Sequence, residues 1–418
     1  MSAVWHPFTQ HGLGEPIPQV THGEGAILHT ADGRRIVDAI SSWWVTTHGH
    51  CHPRIVAAIQ AQAERLDQII FAGWTHGPAE DLAEGLRAIM PPALTRVFFS
   101  DSGSTSVEVA LKMALGYWTA RGEPRHRILV LEHGYHGDTI GAMSVGARGV
   151  YNQAYAPLLF DVATIPFPAP GREQATFDAL ERACAAGAAA FIVEPLVLGA
   201  GGMLFYPPRV LAEMRAICAA AGVLFIADEV MTGWGRTGTL LACEQAGVVP
   251  DILCLSKGLT GGAVPLAVTM ATEPIFDAHY STDRSRMFFH SSSYTANPLA
   301  CAAANANLAI WRDEPVLDRV ADLATRQKAG LATLATQPGV TDARAFGTII
   351  ALEIGGTAAY LSELGPRLLA FFRDRDLLLR PLGNTVYVMP PYCITDRDLD
   401  RVHATIAEAC AMVKDDSG

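Results

Sequence analysis

Short apolar runs alternate with helical patterns through the middle of the chain, from about residue 96 to residue 311. Strands joined by crossover helices produce this alternation, and such strands form a mostly parallel sheet. Because the runs are almost continuously apolar, we expect both faces of the sheet to be buried. The predicted strands lie at residues 96–100, 127–131, 190–194, 223–227, 251–255 and 266–270.

Helical spacing predicts an amphipathic helix between the first two strands, and beyond residue 311 the pattern changes to helix, strands, helix, strands, helix. We therefore predict an α/β protein with a large domain and a smaller α+β domain. The large domain spans residues 51–311, the smaller one spans residues 312–418, and residues 1–50 pack onto the latter. The apolar face of the predicted helix is formed by Val107, Ala110, Leu111, Ala114, Leu115 and Trp118.

Composition narrows the class of protein. Half of the 418 residues are apolar, only 17% are charged and the net charge is −11, which excludes a disordered chain and argues against nucleic acid as a partner.

Eight scattered cysteines without a CxxC pair and an N-terminus without a signal-like segment favour a reduced, cytoplasmic protein. The apolar stretch 183–205 is interrupted by Glu194, Pro195 and glycines, so we predict a strand and a loop rather than a membrane span.

Lysine is scarce, since only four of the 31 basic residues are lysines. One of them, Lys257, follows the apolar strand 251–255 and begins a glycine-rich turn. Function concentrates at the carboxyl ends of strands in open α/β sheets. A lysine that reaches solvent from the turn is the alternative explanation.

Asp228 ends the strand before that one, so it reaches the same edge of the predicted sheet. A carboxylate at this position needs a partner. An aspartate near a lysine suits pyridoxal phosphate, because the carboxylate keeps the pyridine nitrogen protonated and the ring then accepts electrons. A structural salt bridge is the alternative.

Weaker signals surround these two residues. Ser and Gly at 100–104 precede a helix, where they either bind an anion or simply cap the helix. Tyr135 follows a strand and is placed to stack on a flat ring, whereas Trp43 and Trp44 belong either to the core or to a pocket wall.

The histidines of 48–52 are too close together to converge on one ion, so we predict capping or core roles and no metal. No GxGxxG follows a strand, which disfavours a nicotinamide enzyme.

Together these segments resemble the class-III pyridoxal phosphate aminotransferases of fold type I, almost from end to end. The matching pieces are 5–9, 32–35, 41–44, 101–104, 134–138, 194–195, 227–230, 235–238, Lys257, 297–301 and 380–381.

The resemblance implies a homodimer and assigns roles around the cofactor. It makes Lys257 the Schiff-base lysine, Asp228 the partner of the pyridine nitrogen and Tyr135 a residue that stacks near the cofactor and contacts substrate. It also implies an ion pair between Asp138 and Arg236. The phosphate contacts that it implies are Gly103 and Ser104 of one subunit and Ser292 and Ser293 of the neighbouring subunit.

Residues 5–7 and 41–44 narrow the resemblance to the branch that aminates 8-amino-7-oxononanoate, with S-adenosylmethionine as amino donor, in biotin biosynthesis. The resemblance implies substrate contacts at Phe8, Trp43, Tyr135, Ser291 and Arg380. Phe8 stands where this branch usually has tyrosine. The alternatives are a class-III transaminase of ω-amino acids or amines with pyruvate, lysine as the donor, an isomerase of the same fold and a non-catalytic binding protein.

Overall fold

The computed structural model describes residues 2–355 and 363–415. A seven-stranded sheet lies at its centre, in the order β4-β12-β11-β10-β7-β5-β6. The strands are β1 (Val20–Glu24), β2 (Ile27–Thr30), β3 (Arg35–Asp38), β4 (Leu94–Ser100), β5 (Arg127–Leu131), β6 (Ala163–Ile165), β7 (Ala188–Val193), β8 (Val197–Leu198), β9 (Leu204–Phe205), β10 (Leu224–Asp228), β11 (Ile252–Leu255), β12 (Ala267–Thr272), β13 (Val340–Phe346), β14 (Ile349–Ile354), β15 (Leu377–Leu378) and β16 (Thr385–Val388).

The helices surround this sheet and the smaller sheets. They are α1 (Ser41–Trp44), α2 (Pro53–Ala63), α3 (Gly77–Ile89), α4 (Gly103–Ala120), α5 (Ile140–Ser144), α6 (Glu173–Ala185), α7 (Pro208–Ala220), α8 (Ala242–Gln245), α9 (Glu273–His279), α10 (Pro298–Asp313), α11 (Val316–Leu334), α12 (Leu364–Asp374) and α13 (Asp396–Asp415).

All six predicted strands belong to the central sheet, with ends within two residues of the predicted ones. The sheet is mostly parallel, as predicted, because only β12 runs antiparallel to its neighbours β11 and β4. The prediction missed β6, a three-residue edge strand paired with β5. Three residues are too few to form a recognisable apolar run.

The predicted amphipathic helix is α4, and its buried face includes five of the six predicted positions. Leu115 is half-buried and packs at the edge of the same cluster. None of the helices in the described part of the chain has the length and apolar character that a membrane span requires.

The two ends of the chain share a sheet. The N-terminal strands β1, β2 and β3 continue into β15, which pairs with β3 in parallel through Leu377 and Val37. A separate three-stranded sheet, in the order β13-β14-β16, lies within the C-terminal part. The division into residues 1–50, 51–311 and 312–418 stays a prediction.

Arg236 corrects one expectation. It is 1% exposed and donates hydrogen bonds to the carbonyls of Thr46 (3.0 Å) and Pro390 (3.1 Å). The predicted ion pair with Asp138 is therefore wrong: Asp138 is exposed and lies beside Tyr135 instead. The motif around Arg236 gives the position of this residue in the sequence. It does not show that the side chain is buried and bonds to carbonyls near both ends of the chain.

Candidate active site

Lys257 lies at the carboxyl edge of the central sheet, two residues after β11. It begins a single turn of 3-10 helix, Lys257–Thr260, and has a φ of +49°, a left-handed conformation that costs a non-glycine residue about 1–3 kcal/mol. Burial lowers the pKa of its amine to about 8, although Asp228 and Glu194 act in the opposite direction. A substantial fraction of this amine is therefore neutral near physiological pH.

Asp228 is the last residue of β10, the strand next to β11. It is 4% exposed, and its Oδ2 atom accepts a hydrogen bond from Nδ1 of His136 at 2.7 Å. Its Oδ1 atom accepts a second from the main-chain N–H of Val230 at 3.1 Å. The expected partner of the carboxylate is thus an imidazole and a backbone amide. Lys257 lines the same cavity, and the structural salt bridge considered as the alternative role of Asp228 is not formed with it.

Glu194 extends this polar cluster from the end of β7. Its carboxylate accepts hydrogen bonds from the main-chain N–H groups of Tyr135 (3.0 Å) and Gly199 (2.9 Å). Burial raises its pKa to about 7, with the charge of His136 opposing and that of Asp228 adding to the rise. Glu194 therefore fixes the backbone at Tyr135, and its carboxyl group changes protonation state near neutral pH.

The N-terminus of α4 forms another side of the site. Ser102 caps the helix by accepting a hydrogen bond from the N–H of Thr105 (3.2 Å), and Gly103 and Ser104 form its first turn. A Cβ atom at Gly103 would lie 2.7 Å from Val230, so the glycine is required for the close packing here. Free N–H groups and the helix dipole make this end suitable for an anion such as a phosphate.

Aromatic side chains and an arginine form the outer part of the site. The ring centroids of Phe8 and Trp43 are 5.5 Å apart, and the guanidinium of Arg380 lies 5.9 Å and 5.6 Å from them. Arg380 also donates a hydrogen bond to the Phe8 carbonyl at 3.2 Å. Tyr151, whose ring centroid is 6.2 Å from that of Phe8, joins this group. The arrangement combines apolar faces with a donor for a carboxylate.

Trp43 and Trp44 have different environments, which settles the alternatives left open for them. Trp43 is 44% exposed and lines the outer cavity, whereas Trp44 is buried and donates to the hydroxyl of Tyr387 at 2.9 Å. The ring of Trp44 faces the amine of Lys257, with Nζ 4.7 Å from its centroid. Trp44 therefore belongs to the core and also forms part of the inner wall of the cavity.

Tyr135 has its hydroxyl beside Asp138. Burial, followed by the charge of that carboxylate and a hydrogen bond to it, raises the pKa of the phenol above its usual value. The hydroxyl therefore stays protonated throughout the physiological range.

These residues line one cavity of about 430 Å³. It brings together eight of the residues predicted for the site: Phe8, Trp43, Gly103, Ser104, Tyr135, Asp228, Lys257 and Arg380. Sequence reasoning missed His136, Glu194 and Tyr151. The first two had a signal, since both follow apolar strands at the same sheet edge, but the sequence does not show that His136 points inward while Tyr135 faces the cavity.

Ser291, Ser292 and Ser293 lie outside this cavity, in the segment before α10. The Ser291 hydroxyl is 3.3 Å from that of Thr295, and the carbonyl of Ser293 accepts a hydrogen bond from Gln68. None of the three is among the residues that line the cavity with Lys257. Their assignment to substrate and phosphate stays a prediction, and it requires a second subunit.

The histidines of 48–52 have separate roles. His48 is buried against Asn307, and His50 pairs with Asp38 at 2.8 Å. Within residues 2–355 and 363–415, no three His, Cys, Asp or Glu side chains converge as a metal site requires.

Pyridoxal phosphate fits the residues that line the cavity. A buried carboxylate faces a lysine of lowered pKa, and the N-terminus of α4 provides N–H groups for a phosphate. The glycine at 137 allows the close approach of its loop to Ser104, because a Cβ atom there would overlap that side chain.

Comparisons with known proteins agree with this geometry. A family model described as aminotransferase class-III matches residues 9–410. An adenosylmethionine-8-amino-7-oxononanoate aminotransferase of Synechococcus elongatus is 50% identical over 97% of each chain, and one of Nitratidesulfovibrio vulgaris is 40% identical over 98% of this chain and 80% of its own. The crystal structure of the Methanocaldococcus jannaschii protein of that name is 32% identical, with a TM-score of 0.93 over 98% of this chain and 97% of its own. An amine transaminase from an uncultivated Pseudomonas species, solved with pyridoxal phosphate bound, is 32% identical with a TM-score of 0.90 over 100% and 99% of the chains.

The fold and the lysine–aspartate site define a pyridoxal phosphate-dependent aminotransferase of fold type I. The chain belongs to the class-III aminotransferases. The predicted fold class, enzyme class and cofactor are confirmed. The roles of individual residues stay predictions.

The lowered pKa of Lys257 predicts how the cofactor-free protein captures pyridoxal phosphate. The neutral amine is the nucleophile, so the rate should rise as pH increases through about 8 and level off above it. Stopped-flow absorbance measures this rate, with Lys257→Ala as the control that should not capture. A rate still rising toward the ordinary lysine value of 10.5 contradicts burial of the amine.

Asp228→Asn removes the charge but preserves the shape of the side chain. We expect the cofactor to remain bound while either half-reaction slows by about 100-fold or more, because the ring loses its anionic partner. Glu229→Gln is a matched control: Glu229 is equally buried and bonds to the N–H groups of Ala242 and Cys243, away from the cavity. Normal turnover in Asp228→Asn shows that the residue has only a structural role.

Proposed function

We propose that this chain transfers an amino group from S-adenosylmethionine to 8-amino-7-oxononanoate and so produces 7,8-diaminononanoate, a step of biotin biosynthesis. The observation that carries the proposal is the composition of the cavity. Lys257 and Asp228 line it together with the rings of Phe8 and Trp43, which lie beside the guanidinium of Arg380. Nearly full-length similarity to proteins named for these two substrates supports it.

Lys257 is the group that moves the proton. Its neutral Nζ atom accepts a proton from the substrate carbon that bears the amino group, holds it, and would deliver it to the cofactor rather than back to that carbon. Pyridoxal phosphate, when bound, supplies an electron sink for the charge left on that carbon. Asp228 lines the cavity, and His136 holds its carboxylate in place through Nδ1. Trp44 shields the amine from water.

The acceptor binds through its carboxylate at Arg380. A guanidinium has a planar fork of donors that matches a carboxylate, and here the flanking rings of Phe8 and Trp43 limit its hydration. Trp43 also presents an apolar face to the carbon chain of the acceptor. The arginine thus fixes one end of the substrate while the reacting carbon reaches Lys257.

The donor binds against the same aromatic faces. Its adenine stacks on Phe8, and its sulfonium is stabilised by neighbouring ring faces in an acidic protein. Phe8 lacks a hydroxyl, so stacking rather than hydrogen bonding provides its contribution. Tyr135 lines the cavity between this region and the floor.

The proposal includes a cytoplasmic homodimer with shared active sites. Ser291 of a second copy contacts substrate, and Ser292 and Ser293 of that copy contact the phosphate. Exposed apolar side chains near this segment support a covered face, since Phe289 is 65% and Tyr294 is 62% exposed in the single chain.

A class-III amine transaminase that uses pyruvate is the second candidate. The similarity to the amine transaminase from the Pseudomonas species favours it, because its TM-score of 0.90 is close to that of the Methanocaldococcus protein. The two candidate functions require the same lysine–aspartate pair and differ in the substrates that the outer part of the cavity has to bind.

Arg380→Ala should weaken the acceptor half-reaction roughly 10- to 100-fold, the worth of a lost charge-assisted hydrogen bond, and leave the donor half-reaction nearly unchanged. Arg380→Lys should recover little. Single-turnover kinetics of each half-reaction measures both effects. Arg373→Ala is the control, because Arg373 also holds the N-terminal segment, at Pro16, but lies outside the cavity. Equal losses in the two half-reactions contradict a site that is specific for the acceptor, because S-adenosylmethionine carries a carboxylate as well.

S-adenosylmethionine should convert the bound cofactor to its amine form, and Phe8→Ala should slow that half-reaction specifically. Phe8→Tyr should change the activation free energy of that half-reaction by no more than the contribution of one hydrogen bond, about 0.5–1.5 kcal/mol. Absorbance after each donor is added alone measures the conversion, and Trp5→Ala, in the same segment but 89% exposed, is the control. Conversion by lysine or a simple amine, but not by S-adenosylmethionine, makes the donor assignment wrong.

A further inference from the structure

Two buried polar side chains lie behind the turn that carries Lys257. Asn307 of α10 is 0% exposed, and its Nδ2 atom donates to the carbonyls of Gly258 and Leu259, at 3.0 Å each. These carbonyls belong to the two residues that directly follow the lysine. Helix α10 is therefore hydrogen-bonded to the lysine turn through a residue on its buried face.

His48 fixes the orientation of the asparagine. Its Nε2 atom lies 2.8 Å from Oδ1 of Asn307, which accepts hydrogen bonds only, so Nε2 carries the proton. Burial lowers the pKa of His48 to about 4, which leaves the ring neutral at physiological pH. Among the described residues, its Nδ1 atom has no hydrogen-bond partner. A reversed amide would place its oxygen against two carbonyl oxygens and its NH2 group against the N–H of His48, so the pair has one favourable arrangement.

The lysine turn needs external support. The left-handed φ of Lys257 is strained, and such a conformation persists only when surrounding contacts determine it. Gly258 provides close contact on one side, because a Cβ atom there would lie 2.7 Å from Trp234. Asn307 holds the remaining part of the turn through its two hydrogen bonds. Contacts to the backbone of Gly258 and Leu259, the residues that follow Lys257, therefore set the direction of the lysine side chain.

We propose that Asn307, oriented by His48, is a positioning residue that aims the amine of Lys257 into the cavity. It does not touch substrate or cofactor and acts through the carbonyls of Gly258 and Leu259. The inference rests on Lys257 being the cofactor lysine, as the proposed function has it. Loss of the two hydrogen bonds lets the turn relax and moves the amine away from the position where it reacts.

The test compares four variants as folded, cofactor-free proteins mixed with pyridoxal phosphate. Asn307→Ala and His48→Leu should capture the cofactor about 10- to 100-fold more slowly than wild type and shift the pH midpoint of its bound absorbance. His48→Gln keeps an N–H donor toward Asn307 and should restore most of the rate. Asn305→Ala is the matched control on the same helix, since Asn305 donates to the distant carbonyl of Pro78.

A wild-type capture rate and an unchanged pH midpoint in Asn307→Ala and His48→Leu overturn the inference. Equal slowing in Asn305→Ala also overturns it, because a general loss of stability then explains the effect. If Asn307→Ala does not fold, the difference between His48→Leu and His48→Gln decides. Wild-type protein that captures the cofactor at another lysine refutes the proposed site itself, which separates that failure from failure of the positioning role.

Discussion

Parallel pairing of neighbouring strands is the constraint on which this site depends. Strands β11, β10 and β7 end at one edge of the sheet, and there they deliver Lys257, Asp228 and Glu194 in that spatial order. The loop after β5, the next strand, adds His136. These groups share a buried site, where the carboxylates of Asp228 and Glu194 oppose the effect of burial on the pKa of Lys257. Burial dominates, since it lowers the pKa of the lysine and raises that of the glutamate.

The outer part of the site depends on a second pairing, which joins the two ends of the chain. Phe8 and Arg380 are 372 positions apart, yet the arginine donates to the carbonyl of the phenylalanine. The sheet formed by β3 and β15 brings these ends together, and buried Arg236 bonds to carbonyls from both. Lys257 and Asp228 therefore come from the central sheet, whereas Phe8 and Arg380, from the two joined ends of the chain, line the outer part of the same cavity.

Much of this architecture could be predicted from the sequence, because apolar strands and scarce lysines leave strong signals. The scarcity of lysine and the strand ends single out Lys257 and Asp228, and the resemblance to the family assigns their roles. Side-chain direction left no such signal: the inward turn of His136 and the burial of Arg236 depend on neighbours distant in the chain. The serines at 291–293 could be assigned only by resemblance, since nothing in their own subunit draws them to the cavity.

The central claim is that Lys257, and not another lysine, holds the cofactor opposite Asp228. Borohydride reduction of the loaded protein, followed by peptide mapping with mass spectrometry, tests it most directly. The account predicts that the cofactor is attached to Lys257 alone, in a peptide that includes the end of β11. Attachment at Lys112, Lys328 or Lys414, or no attachment, contradicts it.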